Sequence, residues 1–328
     1  MTVEECERAL AERGGRQGAV LVSRATVGLA AALRALRLPR GSGVMMPVML
    51  CANVVHAVRG AGLEPVFVEM EAGACGFGMD LAKAERVMSE RSDVSALLAV
   101  PLFGAGPDSE GLAAFAERHK LQVVVDAAQY GMRTVDLPIN GRQAVAVYSF
   151  GAGKIGDAGG GAAVVGDDPG LLEVVRAELG AKRDLSETAG RIMKSLEGLD
   201  AELAGRRRLA EAYRDGLRVD GVTHPRGELP LWKYSVLLRD RGERDRVTRR
   251  LLKMGVEVTN LYMPLSRWFG PYREKGWGRE EFPVAWEISE RIINLPLWPA
   301  REGLPEEAVW AFHAPTTTSA KGALGSGR

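Results

Sequence analysis

The chain has 328 residues, 46% hydrophobic and 26% charged, a globular composition long enough for two cores that excludes a disordered, collagen-like or disulfide-stapled chain. Its 43 basic and 42 acidic residues leave a formal charge of +1, so no basic excess holds a phosphate backbone by counterion release and no nucleic-acid partner is expected. Cys6, Cys51 and Cys75 show no Cys-x-x-Cys spacing, the first residues lack a signal region, and no apolar run nears the roughly 20 residues that cross a bilayer, so a cytoplasmic chain without a membrane partner is expected.

The first two thirds alternate short apolar runs with helical patterns. A helix over 2–12 precedes a strand at 19–22 and a helix over 26–36. A strand at 44–46, stopped by Pro47, is followed by a helix over 51–61, a strand at 65–68 and a helix over 80–90. Then come a strand at 96–100, a helix over 111–119, and strands at 121–125, 144–149 and 161–165. This is the pattern of an α/β domain around a mostly parallel sheet, and its continuous apolar strands predict burial on both faces. A charged helix over 197–217, a strand at 231–238 and a charged helix over 243–254 begin a smaller α+β domain. We divide the chain into a large domain, 1–204, a small domain, 205–314, and a small polar tail, 315–328, expected to be disordered.

In open α/β sheets ligands bind beyond the carboxyl ends of the strands. The run 121–125 ends in Asp126-Ala127-Ala128-Gln129, the run 144–148 in Ser149-Phe150-Gly151-Ala152-Gly153-Lys154, and the run 19–22 in Ser23-Arg24-Ala25-Thr26 at a helix start. Alone, Asp126 reads as a turn former, Thr26 as a helix cap and Lys154 as a surface lysine. Six of the eleven residues from Gly151 to Gly161 are glycine, however, which lets backbone approach a ligand closely. A carboxylate, a lysine and a helix N-terminus at one crevice suit a phosphorylated aldehyde: the lysine for a Schiff base, the carboxylate for a pyridinium nitrogen, the helix for a phosphate.

Gly151-Ala152-Gly153-Lys154-Ile155-Gly156 also matches Gly-x-Gly-x-x-Gly, but a dinucleotide fingerprint needs a helix next, and turn and strand residues follow; the Walker A spacing fails as well. His56, His119, His224 and His313 lack metal-ligand spacing, so no metal is expected. Arg206-Arg207-Arg208 and the Arg-rich stretch 239–253 alternate with acids and predict solvated helix faces. Trp268, Trp277, Trp286, Trp298 and Trp310 read as core or interface residues.

These segments resemble the DegT/StrS-type sugar aminotransferases, pyridoxal-phosphate enzymes of the aspartate-aminotransferase fold (fold type I). Val125-Asp126-Ala127-Ala128-Gln129, Ser149 to Lys154 with Gly159-Gly160-Gly161-Ala162, Gly62 to Glu69, and Asn294-Leu295-Pro296-Leu297-Trp298-Pro299 carry the likeness. The resemblance implies that Lys154 forms the Schiff base and shuttles a proton, and that Asp126 keeps the pyridine nitrogen protonated. Ser149 and Thr26 would hold the phosphate and Gln129 would contact the ring or its phenolic oxygen, with Ala25, Ala128 and Cys51 in the same cofactor-binding set. It further implies an amino donor, glutamate, a keto-sugar acceptor on a nucleotide, a role in polysaccharide or secondary-metabolite biosynthesis, and a homodimer.

The chain departs from the family pattern in places. Ala25 replaces a glycine of the phosphate turn, Arg24 is new, and Cys51 stands where many members stack an aromatic ring. Pro264-Leu265-Ser266 and Trp298 replace histidine-bearing segments, and the N-terminal arm and much of the segment after the lysine strand are short. These departures motivate an alternative, a degenerate member acting as a cofactor- or sugar-nucleotide-binding regulatory or scaffold protein. A sugar dehydratase is a third reading; some such members carry histidine for the lysine, which Lys154 argues against.

Overall fold

The computed structural model describes residues 2–72, 77–106, 108–180, 184–262, 278–297 and 304–313. Cys75, Trp268, Trp277, Trp298, Pro264-Leu265-Ser266 and the tail lie outside the described residues.

Seven strands form the main sheet: β1 (Gly18–Val22), β2 (Gly43–Pro47), β3 (Glu64–Val68), β4 (Val94–Ala99), β5 (Gln122–Asp126), β8 (Val145–Ser149) and β9 (Ala162–Gly166), in spatial order β1-β9-β8-β5-β4-β2-β3. Strands β6 (Pro138–Ile139) and β7 (Arg142–Gln143) make a separate small hairpin. All pairings from β8 to β3 are parallel, and β9 alone runs antiparallel to its neighbours β1 and β8. All five residues of β2 are buried. Successive strand side chains point to opposite faces, so both faces of the sheet are covered.

The helices of this part are α1 (Val3–Arg13), α2 (Ala25–Ala35), α3 (Ala52–Gly60), α4 (Leu81–Glu90), α5 (Ser109–Arg118) and α6 (Pro169–Leu179). A reciprocal capping box between Thr2 and Glu5 starts α1, and Asp80, Asp108 and Asp168 cap α4, α5 and α6. Helix α2 is different: its cap position is Arg24, with no side-chain cap bond.

Helix α7 (Ser186–Gly216) is one continuous 31-residue element. It starts eleven residues before the sequence pattern placed it, and the 204/205 division falls inside it. Beyond it lie β10 (Lys233–Leu237), α8 (Arg241–Lys253), α9 (Pro283–Arg291), β11 (Ile292–Pro296) and α10 (Leu304–His313). Strands β10 and β11 pair antiparallel, and Tyr213, Tyr234, Val236, Leu251, Ile293 and Ala308 share a second apolar core. The solvated-face reading fails at Arg206 and Arg244, which are only 3% and 7% exposed, while Arg207 and Arg208 are exposed. Trp310 is 58% exposed and belongs to no core.

Candidate functional site

Register explains how distant residues meet. Asp126, the last residue of β5, pairs with Val147 of β8, so both strands end at one sheet edge. Ser149, the last residue of β8, pairs with Ala162, the first of β9, and Ala162 also pairs with Val22, the last of β1. The residues that follow β1, β5 and β8 therefore emerge side by side. They enclose a cavity of about 340 Å³ lined by Ala25, Thr26, Cys51, Asp126, Ala128, Gln129, Ser149 and Lys154, which brings together all eight candidate residues. A larger cavity of about 630 Å³ at the carboxyl ends of β2 and β4 is lined by Phe77, Asp80, Asp108 and Glu228 and has no lysine among the described residues that line it, so the chemistry points to the smaller one.

Helix α2 meets the cavity end-on. Thr26 is its second residue and not its cap, which corrects the helix-cap reading. The amides of the first turn have no carbonyl one turn back, so Ala25 and Thr26 offer free N–H groups where an anion is favoured. Gly28 allows this approach: a Cβ there would stand 3.1 Å from Val22 and Val164 and 3.2 Å from Val147. Cys51 occupies the cap position of α3, again with no side-chain cap bond.

Asp126 is 7% exposed, and its Oδ1 accepts the Ala128 N–H at 3.1 Å. Burial pushes its carboxyl above the usual range, against the pull of that N–H and of Lys154. Lys154 is half-buried; burial lowers its amine below the usual lysine range, while Asp126 and Cys51 act the other way. A carboxylate and an amine, both desolvated and facing one cavity, mark a candidate functional site.

Gln129 is held at both ends of its amide. Its Oε1 accepts the Phe103 N–H at 2.6 Å, and its Nε2 donates to the Tyr262 hydroxyl at 3.1 Å. This fixes which way the amide points and leaves the Tyr262 proton free for another acceptor. Tyr262 is itself positioned from the second core: Ser235 Oγ donates to Asn294 Oδ1 at 2.7 Å, and Asn294 Nδ2 donates to the Leu261 carbonyl at 2.7 Å.

The glycine loop carrying Lys154 is built of turns, with positive φ at Gly153, Gly156, Gly159, Gly160 and Gly161, and leads directly into β9 with no helix after it. Part of its glycine content serves helix packing: a Cβ on Gly161 would stand 2.7 Å from Thr188 and 2.9 Å from Ile192 of α7. Trp232, unmarked in the sequence, donates from its indole to the Gly153 carbonyl at 2.8 Å and lies with its ring centroid 4.3 Å from Lys154 Nζ. Neither Trp232 nor Tyr262 carries a local sequence signal, because both reach the site from the second half of the chain. Elsewhere, His119 bonds Glu85 at 2.7 Å, and His224 lies between the Tyr234 hydroxyl and the Leu217 carbonyl. The His313 side chain lies outside the described residues.

The model of the DegT/DnrJ/EryC1/StrS aminotransferase family matches residues 1–310. The chain is 32% identical over 289 residues to the erythromycin biosynthesis sensory transduction protein EryC1 of Saccharopolyspora erythraea, covering 81% of this chain and 77% of that protein. It is 30% identical over 293 residues to the dTDP-3-amino-3,4,6-trideoxy-alpha-D-glucose transaminase of Streptomyces venezuelae, covering 83% and 75%. Among solved structures, S. venezuelae DesV in complex with a ketimine intermediate superposes with a TM-score of 0.82 at 26% identity, over 94% of this chain and 87% of that one.

Proposed function

Because the chain belongs to the DegT/DnrJ/EryC1/StrS aminotransferase family and is thus a pyridoxal-phosphate-dependent aminotransferase, we propose that it moves an amino group from glutamate to a keto sugar carried on a nucleotide. The observation that carries the reading is the convergence of Lys154, Asp126 and the open N-terminus of α2 on one cavity. The names of relatives support the substrate class: GDP-perosamine synthase of Escherichia coli O157:H7 at 24% identity, and UDP-N-acetyl-3-dehydro-alpha-D-glucosamine 3-aminotransferase of Acidithiobacillus ferrooxidans at 28%. A homodimer belongs to the same proposal.

The residues fit the cofactor. Asp126, buried and accepting the Ala128 backbone amide, is the carboxylate that would pair with a pyridine nitrogen. Thr26, Ser149 and the first-turn amides of α2 would hold a phosphate, with exposed Arg24 at the mouth adding positive charge. Ala128 and Cys51 would pack against the ring, and Gln129 stands as a rigid polar wall. Bound pyridoxal phosphate supplies the electron sink for the pair left on an amino-bearing carbon.

The chain's own residues supply the rest. Lys154 is the nucleophile that receives the cofactor and the base that moves the proton at the substrate carbon, and its lowered proton affinity keeps more of it as free amine at neutral pH. Asp126 holds negative charge where the ring needs it. The Tyr262 hydroxyl, aligned by Gln129, is a donor of fixed direction.

The test is visible absorbance of the purified protein with pyridoxal phosphate, followed by borohydride reduction and peptide mapping. We expect an absorbance band that bleaches with glutamate, with the label on Lys154, and neither in Lys154→Ala. A band with no response to any amino acid would favour the regulatory or scaffold reading; a label on another lysine would overturn the site.

A further inference from the structure

The loop bearing Lys154 is gripped from outside on both sides of the lysine. On one side, Trp232 donates from its indole N–H to the Gly153 carbonyl at 2.8 Å. On the other, Glu202 Oε2 accepts the Gly156 N–H at 3.1 Å. Arg206 joins the two grips. Its Nε donates to Glu202 Oε1 at 2.8 Å, and its Nη1 donates to the carbonyls of Leu231 and Trp232 at 3.1 and 3.3 Å. Trp232 is further fixed by its own backbone N–H, which donates to the Phe103 carbonyl at 2.8 Å, beside the bond that holds Gln129.

Helical spacing explains why α7 can do this. Ser195, Leu199, Glu202 and Arg206 are three or four residues apart and so lie on one stripe. A Cβ on Gly156 would meet Ser195 and Leu199, both at 3.4 Å. Arg206 is 3% exposed and Trp232 7%. A buried guanidinium costs desolvation unless every contact is met, and here it bonds a carboxylate and two carbonyls at once. Structural packing accounts for an apolar side chain at position 232 but not for an indole whose N–H meets the residue before Lys154 and whose face meets the lysine amine.

We propose that Trp232 is a positioning residue for Lys154: its N–H fixes the loop, its ring face stabilises the amine in its cationic form, and the Glu202–Arg206 pair locks the loop's other side. This rests on the reading of Lys154 as the reactive amine. The groups acting on Lys154 are the Asp126 carboxylate from β5, the Cys51 thiol at the start of α3 and the Trp232 ring; Lys233 Nζ lies 6.0 Å from the centroid of the same ring. Burial and the Asp126 charge oppose each other at Lys154, so the ring face tips the balance between a protonated and a free amine.

The test reads the lysine in full-length protein freed of cofactor, so its failure is separable from a failure of the aminotransferase reading. The apparent pKa of Lys154 is measured by pH-dependent acylation with peptide mass mapping, and loop opening by hydrogen exchange over residues 150–161. Trp232→Leu keeps apolar bulk but removes the π face, and should lower the Lys154 pKa by roughly half a unit to one unit. Trp232→Phe keeps a face without the N–H; it should hold the pKa near the wild-type value while loop exchange rises severalfold. An unchanged or raised pKa in Trp232→Leu, or unchanged loop exchange in both variants, would overturn the proposal.

Discussion

Asp126 shows how a buried carboxyl in the candidate site acts against stability. Its carboxyl is raised above the ordinary value of 3.8, chiefly by burial. The folded chain therefore binds that proton more tightly than the unfolded chain. The contribution to stability is full at low pH and is lost as the pH rises through the folded-state pKa. Asp126→Asn removes the titration while keeping an oxygen for the Ala128 amide. In cofactor-free protein we expect the variant to melt about 1–2 °C above wild type at pH 7, corresponding to about 1 kcal/mol. The gap should narrow as the pH falls toward the carboxylate range. Melting curves at several pH values check this; a variant that melts lower, or a gap independent of pH, would show that the buried charge is fully compensated. Other groups at the cavity follow a similar logic: the first-turn amides of α2 lack a side-chain cap where α4, α5 and α6 each have an aspartate.

At the scale of elements, the sheet's β1 edge depends on one buried carboxylate. Glu7 of α1 is 7% exposed; its Oε1 accepts the Leu21 N–H at 2.8 Å, and its Oε2 accepts from Arg176 of α6 at 2.7 Å. An edge strand presents unpaired amides, and α1 covers this one. Glu7→Ala should cost about 2 kcal/mol in denaturant unfolding, because a buried N–H loses its acceptor. Glu7→Gln should cost well under half of that, since Arg176 is more than half exposed and its pairing is weak. Equal losses would mean that the ion pair dominates. Much at this scale was legible in the sequence. The runs ending at Asp126 and Ser149 are continuously apolar, so strand ends and the polar residues beyond them stand out without a structure. The start of α7 does not stand out: Gly190 and Ser195 dilute helix propensity there, and contacts with the glycine loop hold the helix instead. The apolar pattern does not single out helix α6, although Asp168-Pro169 is a good start signal. Strand β11 does not read as a strand because buried Asn294 interrupts its apolar run. Trp232, Tyr262 and Arg206 were illegible for a different reason. Apart from the Glu202–Arg206 pair on one helix face, the partners that place them lie 25 to 133 residues away, and a single sequence gives no sign of such pairs.

The molecule as a whole joins two apolar cores through polar contacts that converge near the site. Tyr130 and Arg133, just past Gln129, both bond Glu228, and Arg133 also bonds the Gly104 carbonyl. Glu69, just after β3, reaches across to α9. It is 2% exposed; Oε1 accepts the Ala285 N–H at 2.9 Å and the Met70 N–H at 2.8 Å, and Oε2 accepts the Val284 N–H at 3.0 Å. Helix α9 has no side-chain cap of its own, so a carboxylate from the main sheet supplies it and meets the helix dipole with the favourable sign. Helix α9 runs directly into β11, whose Asn294 holds the Leu261 carbonyl and so sets Tyr262 against Gln129. A change at Glu69 should therefore travel along this route. We expect Glu69→Ala to destabilise the protein by about 3 kcal/mol, two buried amides and one part-buried amide losing their acceptor at once. Hydrogen exchange should quicken over 283–297 and 259–262 while β5 and β8 stay protected, because the main sheet keeps its own ladder. Uniformly faster exchange would mean that Glu69 supports the sheet rather than the junction. No change near Tyr262 would mean that α9 and β11 hold that side chain without the cap.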